Sequence, residues 1–245
     1  MSMLSISADA KTIKGQKKGY LTGVLYLAPH TVSGRNVCPD STPGCREDCL
    51  FTAGRGVMRS VHQSRVAKTQ ALRANPAQFC ESLGADIRAL DRKAGAARMT
   101  PLVRLNGTSD IPWENFRPNL MGQFPHIQFY DYTKSVARLL KFLEGRMPSN
   151  YHLTFSRSEC NDSACLDVLD AGGNVAVVFD TKKGAALPTH WKGCRVIDGD
   201  VDDVRPADNS HGANGSASMS QTGVVVGLRA KGRARKDTSG FVVKA

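Results

Sequence analysis

The chain has 245 residues, enough for one large domain or two small ones with a core that needs no disulfides. Its 33 Lys and Arg outnumber 22 Asp and Glu, and the net charge of +11 favours a polyanionic partner such as DNA or RNA. The sequence has no apolar run typical of a signal peptide or a membrane span, and its seven cysteines are an odd number. We therefore expect a cytoplasmic protein, not a membrane protein or a disulfide-bonded secreted one.

Two short segments hold much of the excess positive charge. They are KTIKGQKK, within a basic N-terminal segment at 1–18, and RAKGRARK near the C-terminus. Basic segments of this kind bind phosphates in nucleic acids, but they also occur as solvated tails that aid solubility. The sequence leaves both interpretations open.

The first predicted strand, GYLTGVLYLA at 19–28, leads directly into a cysteine loop at 38–49. Pro39, Pro43 and Gly44 are expected to keep this loop out of regular structure, so that it can fold back on itself. Six residues and then three separate its cysteines, which are Cys38, Cys45 and Cys49. Three thiolates suit a zinc ion with one open or borrowed ligand, or an iron–sulfur cluster with one iron free for a substrate.

Other cysteines and histidines offer weaker candidates for the same site. Cys160 follows a strand and could approach as a further ligand, and His30 or His62 could supply a fourth zinc ligand. A surface or capping role is the plainer interpretation of both histidines. Cys80, Cys165 and Cys194 stand beside apolar residues and are expected to be structural.

Two helices are predicted after the cysteine loop, from about Val57 to Ala74 and from about Pro76 to Ala94. Further strands then begin at near-even intervals, with helices fitting between them; they start at Leu102, Ile127, Tyr151, Asn174 and Arg195. Alternation of this kind is typical of βα units and a parallel sheet. With the first strand there are six units, so we predict an α/β fold, a partial (βα)6 barrel of parallel strands over 19–206. The remainder, 207–245, is predicted to hold a Gly/Ser-rich loop, a last strand and the basic C-terminal segment.

Polar residues follow every one of these predicted strands. In parallel α/β proteins the active site lies at the carboxyl ends of the strands, so a functional rim is expected there. Its members are Asn106, Ser109, Asp110, Lys134, Ser156, Arg157, Glu159, Asp180, Asp198 and Asp200.

Several strings resemble the phage "gene product eighty-eight" family. They are CPDSTPGCREDCLFTAGRG, RLNGTSDIPWE, QFYDYTK, YHLTFSRSE and GGNVAVVF, in this order and over most of the chain. The layout is in turn similar to the radical S-adenosylmethionine fold, in which three cysteines after the first strand of a six-unit partial barrel hold a four-iron, four-sulfur cluster. In that fold S-adenosylmethionine chelates the fourth iron. The spacing here departs from the usual three residues and then two.

The resemblance implies an iron–sulfur phage protein of radical S-adenosylmethionine type in the host cytoplasm, which modifies a nucleic acid or a nucleotide. Cys38, Cys45 and Cys49 would ligate the cluster. The cofactor-binding candidates are Asn106, Ser109, Asp110 and Ser156, and the catalytic candidates are Lys134, Arg157, Glu159 and Asp198. The alternative is a non-enzymatic nucleic-acid-binding protein in which the same cysteines hold a structural zinc.

Overall fold

The computed structural model describes residues 2–7, 9–116, 119–208 and 223–245. Its strands are Leu4–Ile6 (β1), Tyr20–Leu25 (β2), Thr100–Arg104 (β3), Gln128–Thr133 (β4), Tyr151–Ser156 (β5), Val175–Phe179 (β6), His190–Trp191 (β7), Cys194–Asp198 (β8) and Val225–Arg229 (β9). Its α-helices are Ala10–Gln16 (α1), Pro43–Glu47 (α2), Arg59–Ala74 (α3), Pro76–Ala96 (α4), Val136–Leu143 (α5) and Asp162–Asp170 (α6). The fold is mixed α/β.

A single mostly parallel sheet organises the chain, with strand order β1-β2-β3-β4-β5-β6-β9-β8-β7. The strands from β2 to β8 in this order are all parallel to their neighbours, whereas β1 and β7 pair antiparallel at the two edges. Parallel pairing places the carboxyl ends of these strands along one edge of the sheet, and the loops that follow the strands therefore meet there.

The two faces of the sheet are covered differently. Val103, on β3, joins the main core under the helices, whereas its neighbour Leu102 faces a smaller cluster with Tyr130 and Val204. This alternation follows from the two-residue period of a strand. On the second face Asp203 accepts hydrogen bonds from Arg104 Nη1 at 3.0 Å and from the hydroxyl of Tyr130 at 2.9 Å. The segment around 203 thus covers this second face together with α1, whose Gly15 lies beside Val204.

The six strands of the predicted βα units and the predicted last strand, β9, all form and are parallel, and the two long predicted helices form as α3 and α4. Two elements of the N-terminal segment, β1 and α1, were missed because each is very short. The last strand, β9, which the sequence analysis placed in 207–245, lies between β6 and β8 in the sheet. The predicted Gly/Ser-rich loop falls largely on 209–222, outside the described residues. Among the helices that are described, none is long and apolar enough to cross a membrane.

Candidate functional site at the cysteine loop

The cysteine loop contains a short helix that the sequence analysis did not predict. Pro43 begins α2, and Thr42 caps it, because the Thr42 hydroxyl oxygen accepts a hydrogen bond from the amide of Cys45 at 3.3 Å. Proline is favourable in the first turn of a helix, where its missing N–H would have no partner. The expectation that Pro43 and Gly44 prevent regular structure was therefore wrong, and the helix fixes the backbone position of Cys45.

The first cysteine is held by the loop that follows β3. The Cys38 Sγ accepts a hydrogen bond from the amide of His30 at 3.3 Å and lies 3.7 Å from the carbonyl oxygen of Thr108. The amide of Asp110 also donates to the carbonyl of Val37 at 2.8 Å. The start of the cysteine loop is thus bound to the carboxyl end of β3.

The middle of the loop is bound to the end of β5 through Glu159. One carboxylate oxygen accepts the Gly44 amide at 2.8 Å, and the other accepts the Thr42 hydroxyl at 2.7 Å. Burial alone would raise the pKa of Glu159, but hydrogen bonds from its own amide, from Thr42 and from Gly44, together with the Lys134 charge, lower it below its usual value. A Cβ on Gly44 would overlap Ser239 and Glu159, so the close approach requires glycine.

The three thiols of the loop interact electrostatically. Burial above all, with a smaller effect of the neighbouring Cys49 and Cys45, raises the pKa of Cys38 to about 12 against the hydrogen bond from the amide of His30. Burial also raises the pKa of Cys49, which the charges of Arg65 and Lys134 oppose. All three thiols are half-buried.

Thiolates are preferred ligands of zinc and of iron–sulfur clusters, so the donor chemistry of the loop suits both. Within the described ranges, however, no group of three or more His, Cys, Asp or Glu side chains is arranged to hold a metal ion. Binding would require the sulfurs of Cys38, Cys45 and Cys49 to draw together, and it stays a prediction.

The predicted cofactor-binding residues after β3 are engaged with the protein. The Asn106 Oδ1 accepts from the Ser109 hydroxyl, the Ile111 amide and the Trp113 indole, and its Nδ2 donates to Ile111 and Asp131. These hydrogen bonds fix the shape of the loop after β3. They also occupy the side-chain amide of Asn106 and the hydroxyl of Ser109. A cosubstrate at these two residues would have to displace internal partners.

Asp110 lies in a buried network with Arg138. Its carboxylate accepts from Arg138 Nη1 at 2.6 Å and from the Lys134 amide at 2.8 Å. Arg138 also donates to Glu114 and to the hydroxyl of Tyr151, which in turn donates to Asp131. Burial raises the pKa of Asp110, whereas Arg138 lowers it. The network ties the loop after β3 and the carboxyl end of β4 to Tyr151, the first residue of β5.

Among the remaining candidates near the loop, Arg157 binds the C-terminal segment. Its guanidinium donates to Asp162 at 2.8 Å and to the carbonyl of Phe241 at 2.9 Å. The Lys134 Nζ lies 5.4 Å from the centroid of the Phe241 ring, and Lys134 forms no ion pair with a described residue. The backbone carbonyl of Ser156 accepts from Asn161. Lys134 is thus the catalytic candidate whose charged group is left available.

The aspartates after β6 and β8 are paired with cations. Asp198 binds Arg229 through two hydrogen bonds of 2.9 Å each. Asp200 contacts Lys11 at 3.0 Å and Lys231 at 2.9 Å, and these partners hold its pKa below the usual range against the effect of burial. Asp180 accepts the amide of Ala245 at 2.8 Å. None of these contacts joins the aspartates to the cysteine loop.

The other cysteines and histidines follow the plainer interpretations. Cys80 and Cys165 are buried in the main core, and Cys194 is half-buried on β8. Cys160 is exposed, with its sulfur 3.8 Å from the Ser158 hydroxyl. The His62 ring stacks on Phe51 with centroids 3.7 Å apart, whereas His30 acts on Cys38 through its backbone amide.

A family model described as Gene product 88 matches residues 3–245. The chain belongs to this family. No curated protein matches the sequence, and no solved structure matches the fold. The match covers the cysteine loop, all the predicted strand-end residues and the C-terminal segment of this gene product 88 chain.

Sequence reasoning missed two parts of the site. One is the C-terminal segment, in which Gly232 packs on Ala53 and Gly240 lies against Glu159. The other is Arg65, a buried arginine on α3 whose charge acts on Cys49. The sequence did hold a signal for Arg65. Residues 49–80 contain no Asp or Glu, so the cations of this stretch have no acidic neighbour in sequence.

Proposed function

We propose that this gene product 88 chain is an iron–sulfur protein of radical S-adenosylmethionine type that modifies a nucleic acid or a nucleotide in the cytoplasm of a phage-infected host. Its sheet would correspond to a partial barrel with the cysteine loop at its mouth. The observation that carries the proposal is the position of Cys38, Cys45 and Cys49. They lie on one half-buried loop that is bound to the carboxyl ends of β3 and β5, where parallel α/β proteins carry their active sites.

The surroundings of the thiols support a bound metal–sulfur centre. A backbone N–H donated to a cysteine sulfur, as His30 donates to Cys38, is one of the ways in which proteins tune such centres. Arg65 and Lys134 place positive charge near Cys49, and nearby cations stabilise thiolates. Burial favours the neutral thiols of Cys38 and Cys49, so the positive charge of a metal would offset the cost of forming thiolates there.

Cys38, Cys45 and Cys49 would hold the cluster, which when bound supplies redox chemistry and one iron open to a small molecule. The chain's own residues would position that molecule and exclude water. Lys134 is the catalytic candidate that fits this role, because Lys134 forms no ion pair with a described residue. Two other catalytic candidates, Arg157 and Asp198, are already paired with residues of the protein. S-adenosylmethionine is the cosubstrate that the family resemblance suggests.

A polyanionic substrate is supported by charge beside the loop. Arg233, Arg235 and Lys236 are exposed on a turn of 3-10 helix at Gly232–Lys236. None of the three forms an ion pair within the described part of the chain. This helix packs on the 3-10 turn at Leu50–Thr52, directly after Cys49. Unpaired cations at this place suit phosphates of a nucleic acid near the cysteine loop.

The test is metal content and colour after anaerobic purification. We expect brown protein whose iron is lost in Cys38→Ala, Cys45→Ala and Cys49→Ala but kept in Cys80→Ala, because Cys80 lies in the core. Full iron in Cys45→Ala would contradict the proposal. Colourless protein that holds one zinc, lost in the same three variants, would favour the structural-zinc alternative. Calorimetric titration with S-adenosylmethionine then tests the cosubstrate.

A further inference from the structure

Arg65 differs from the other buried arginines of the chain. In the described ranges Arg65, Arg138 and Arg205 are each at most 8% exposed. Arg138 contacts Asp110 and Glu114, and Arg205 contacts Asp202 and Asp208. Arg65 is 8% exposed and has no carboxylate partner. The residues outside the described ranges include no Asp or Glu, so the chain has no acidic side chain left to neutralise it.

The hydrogen-bond donors of Arg65 are also unused. Its Nε and Nη1 are buried without a partner, and no described residue accepts from its Nη2. A guanidinium carries five N–H donors in a rigid fork and is costly to bury unpaired. Buried polar atoms of proteins nearly always find partners, so a charged group left without any calls for a ligand outside the chain.

Aromatic rings hold this guanidinium in place. Its Cζ lies 4.7 Å from the centroid of the Tyr26 ring and 5.4 Å from that of Phe51. Tyr26 is itself fixed against Gly107, where a Cβ would overlap its ring. Rings on the guanidinium stabilise it through cation–π attraction but accept none of its in-plane hydrogen bonds. The two rings thus leave the buried Nε and Nη1 donors of Arg65 without an acceptor, which a planar or tetrahedral oxyanion would supply.

We propose that Arg65 is the binding residue of an oxyanion site beside the cysteine loop, which takes the phosphate or carboxylate group of a small molecule. Both groups match the guanidinium fork. Arg65 lies over Phe51, two residues after Cys49, and its charge acts on Cys49, so a molecule held there would lie next to the candidate centre. The site needs no metal, because protein groups alone form it.

The probes are inorganic phosphate and acetate, titrated into protein that carries ¹⁵N-labelled arginine. We expect the Nε–H signal of Arg65 to shift and saturate at one anion per chain, and isothermal titration to give the matching dissociation constant. Arg65→Met should weaken binding roughly 10- to 100-fold, as expected when hydrogen bonds to a charged group are lost. The affinity of Arg65→Lys for the anion should lie between those of the wild type and Arg65→Met, because lysine keeps the charge but not the fork of N–H donors. Saturation by phosphate alone would assign a phosphate ligand, and saturation by both anions a site that also takes carboxylates.

Arg73→Met is the matched control, since Arg73 lies on the same helix, is exposed and forms no ion pair with a described residue. It should bind phosphate as the wild type does. An unshifted Arg65 signal with both anions, or unchanged binding by Arg65→Lys and Arg65→Met, would overturn the proposal. A loss of anion affinity in Arg73→Met equal to that in Arg65→Met would also overturn the proposal. Protein with and without bound iron should bind phosphate with the same affinity. A protein that fails to incorporate iron would therefore contradict the proposed function but not the proposed anion site.

Discussion

Glu159 and Gly44 connect the end of β5 to the first turn of α2, through a hydrogen bond of 2.8 Å from the Gly44 amide to the Glu159 carboxylate. The second carboxylate oxygen takes the Thr42 hydroxyl, the same group that caps α2. One side chain therefore fixes both the start of the helix and its distance from the sheet. Because Cys45 lies on that helix, the position of its sulfur depends on Glu159.

Glu159→Gln should loosen the cysteine loop without unfolding the protein. An uncharged amide keeps one acceptor oxygen but loses the charge-assisted bond to the Gly44 amide, a loss of about 1–2 kcal/mol in local stability. Hydrogen exchange at the Gly44 amide should become faster, and iron incorporation should fall. Glu47→Gln is the control, since Glu47 is exposed on the same helix. Exchange that is equally slow in both variants would mean that Glu159 does not hold the loop.

Arg157→Met should release the C-terminal segment. Arg157 donates to the carbonyl of Phe241 at 2.9 Å, and methionine keeps the length of the side chain without its donors. We expect trypsin to cut faster after Arg233, Arg235 and Lys236, whose exposed side chains are sites for this protease. Arg195→Met serves for comparison, because Arg195 is exposed on β8. If both variants resist trypsin as the wild type does, Arg157 is not the anchor of this segment.

Local pattern was sufficient to predict much of the fold. Buried apolar runs such as the one that contains Val177 form strands wherever they lie, and the face of Phe79, Leu83 and Ile87 is enough to indicate a helix. The place of β9 between β6 and β8 was not predictable, because the order of strands depends on long-range packing that no local period encodes.

The candidate site, like the fold, was predictable from sequence only in part. The cysteine loop could be located after the first strand from sequence, but the partners of its neighbours could not. Asp198 and Arg157 look like free ionisable groups in sequence, whereas the fold pairs them with Arg229 and Asp162. Arg65 shows the reverse, since it occupies an ordinary helix position and becomes unusual only because no carboxylate reaches it.

Asp131 should make stability depend on pH. It is fully buried, and burial raises its pKa to about 7 despite the hydrogen bonds from Asn106 and Tyr151. The unfolded chain would release this proton near pH ~3.9. The folded state therefore binds the proton more tightly, and the contribution of Asp131 to stability is full below the unfolded pKa and is lost as the pH rises through about 7.

The variant that checks this is Asp131→Asn, which keeps the shape and cannot ionise. Between roughly pH 4 and pH 7 the free energy of unfolding should fall more steeply for the wild type than for the variant. Urea denaturation across this range gives the two slopes. Asp167→Asn, at an exposed position of α6, should keep the wild-type slope. Parallel curves for Asp131→Asn and the wild type would show that Asp131 does not titrate in this window.

The exposed cations beside the cysteine loop should bind a polyanion. Replacing Arg233, Arg235 and Lys236 with Gln should weaken binding to a single-stranded oligonucleotide and flatten its salt dependence, by roughly 0.7 to 0.9 in the log–log slope per lost contact. Lys231 is left unchanged, because it is paired with Asp200. Fluorescence anisotropy at several salt concentrations measures both quantities.

The matched control is a second triple, Arg88, Arg92 and Lys93 to Gln, which removes the same charge from the exposed side of α4. If binding depends only on the net charge of +11, the two triples should weaken it equally. If the turn beside Cys49 is the contact, the first triple should lose both affinity and slope while the second keeps the wild-type slope. If the wild type and both triple variants show the same log–log salt slope, the C-terminal cations do not contact the polyanion and form a solvated tail.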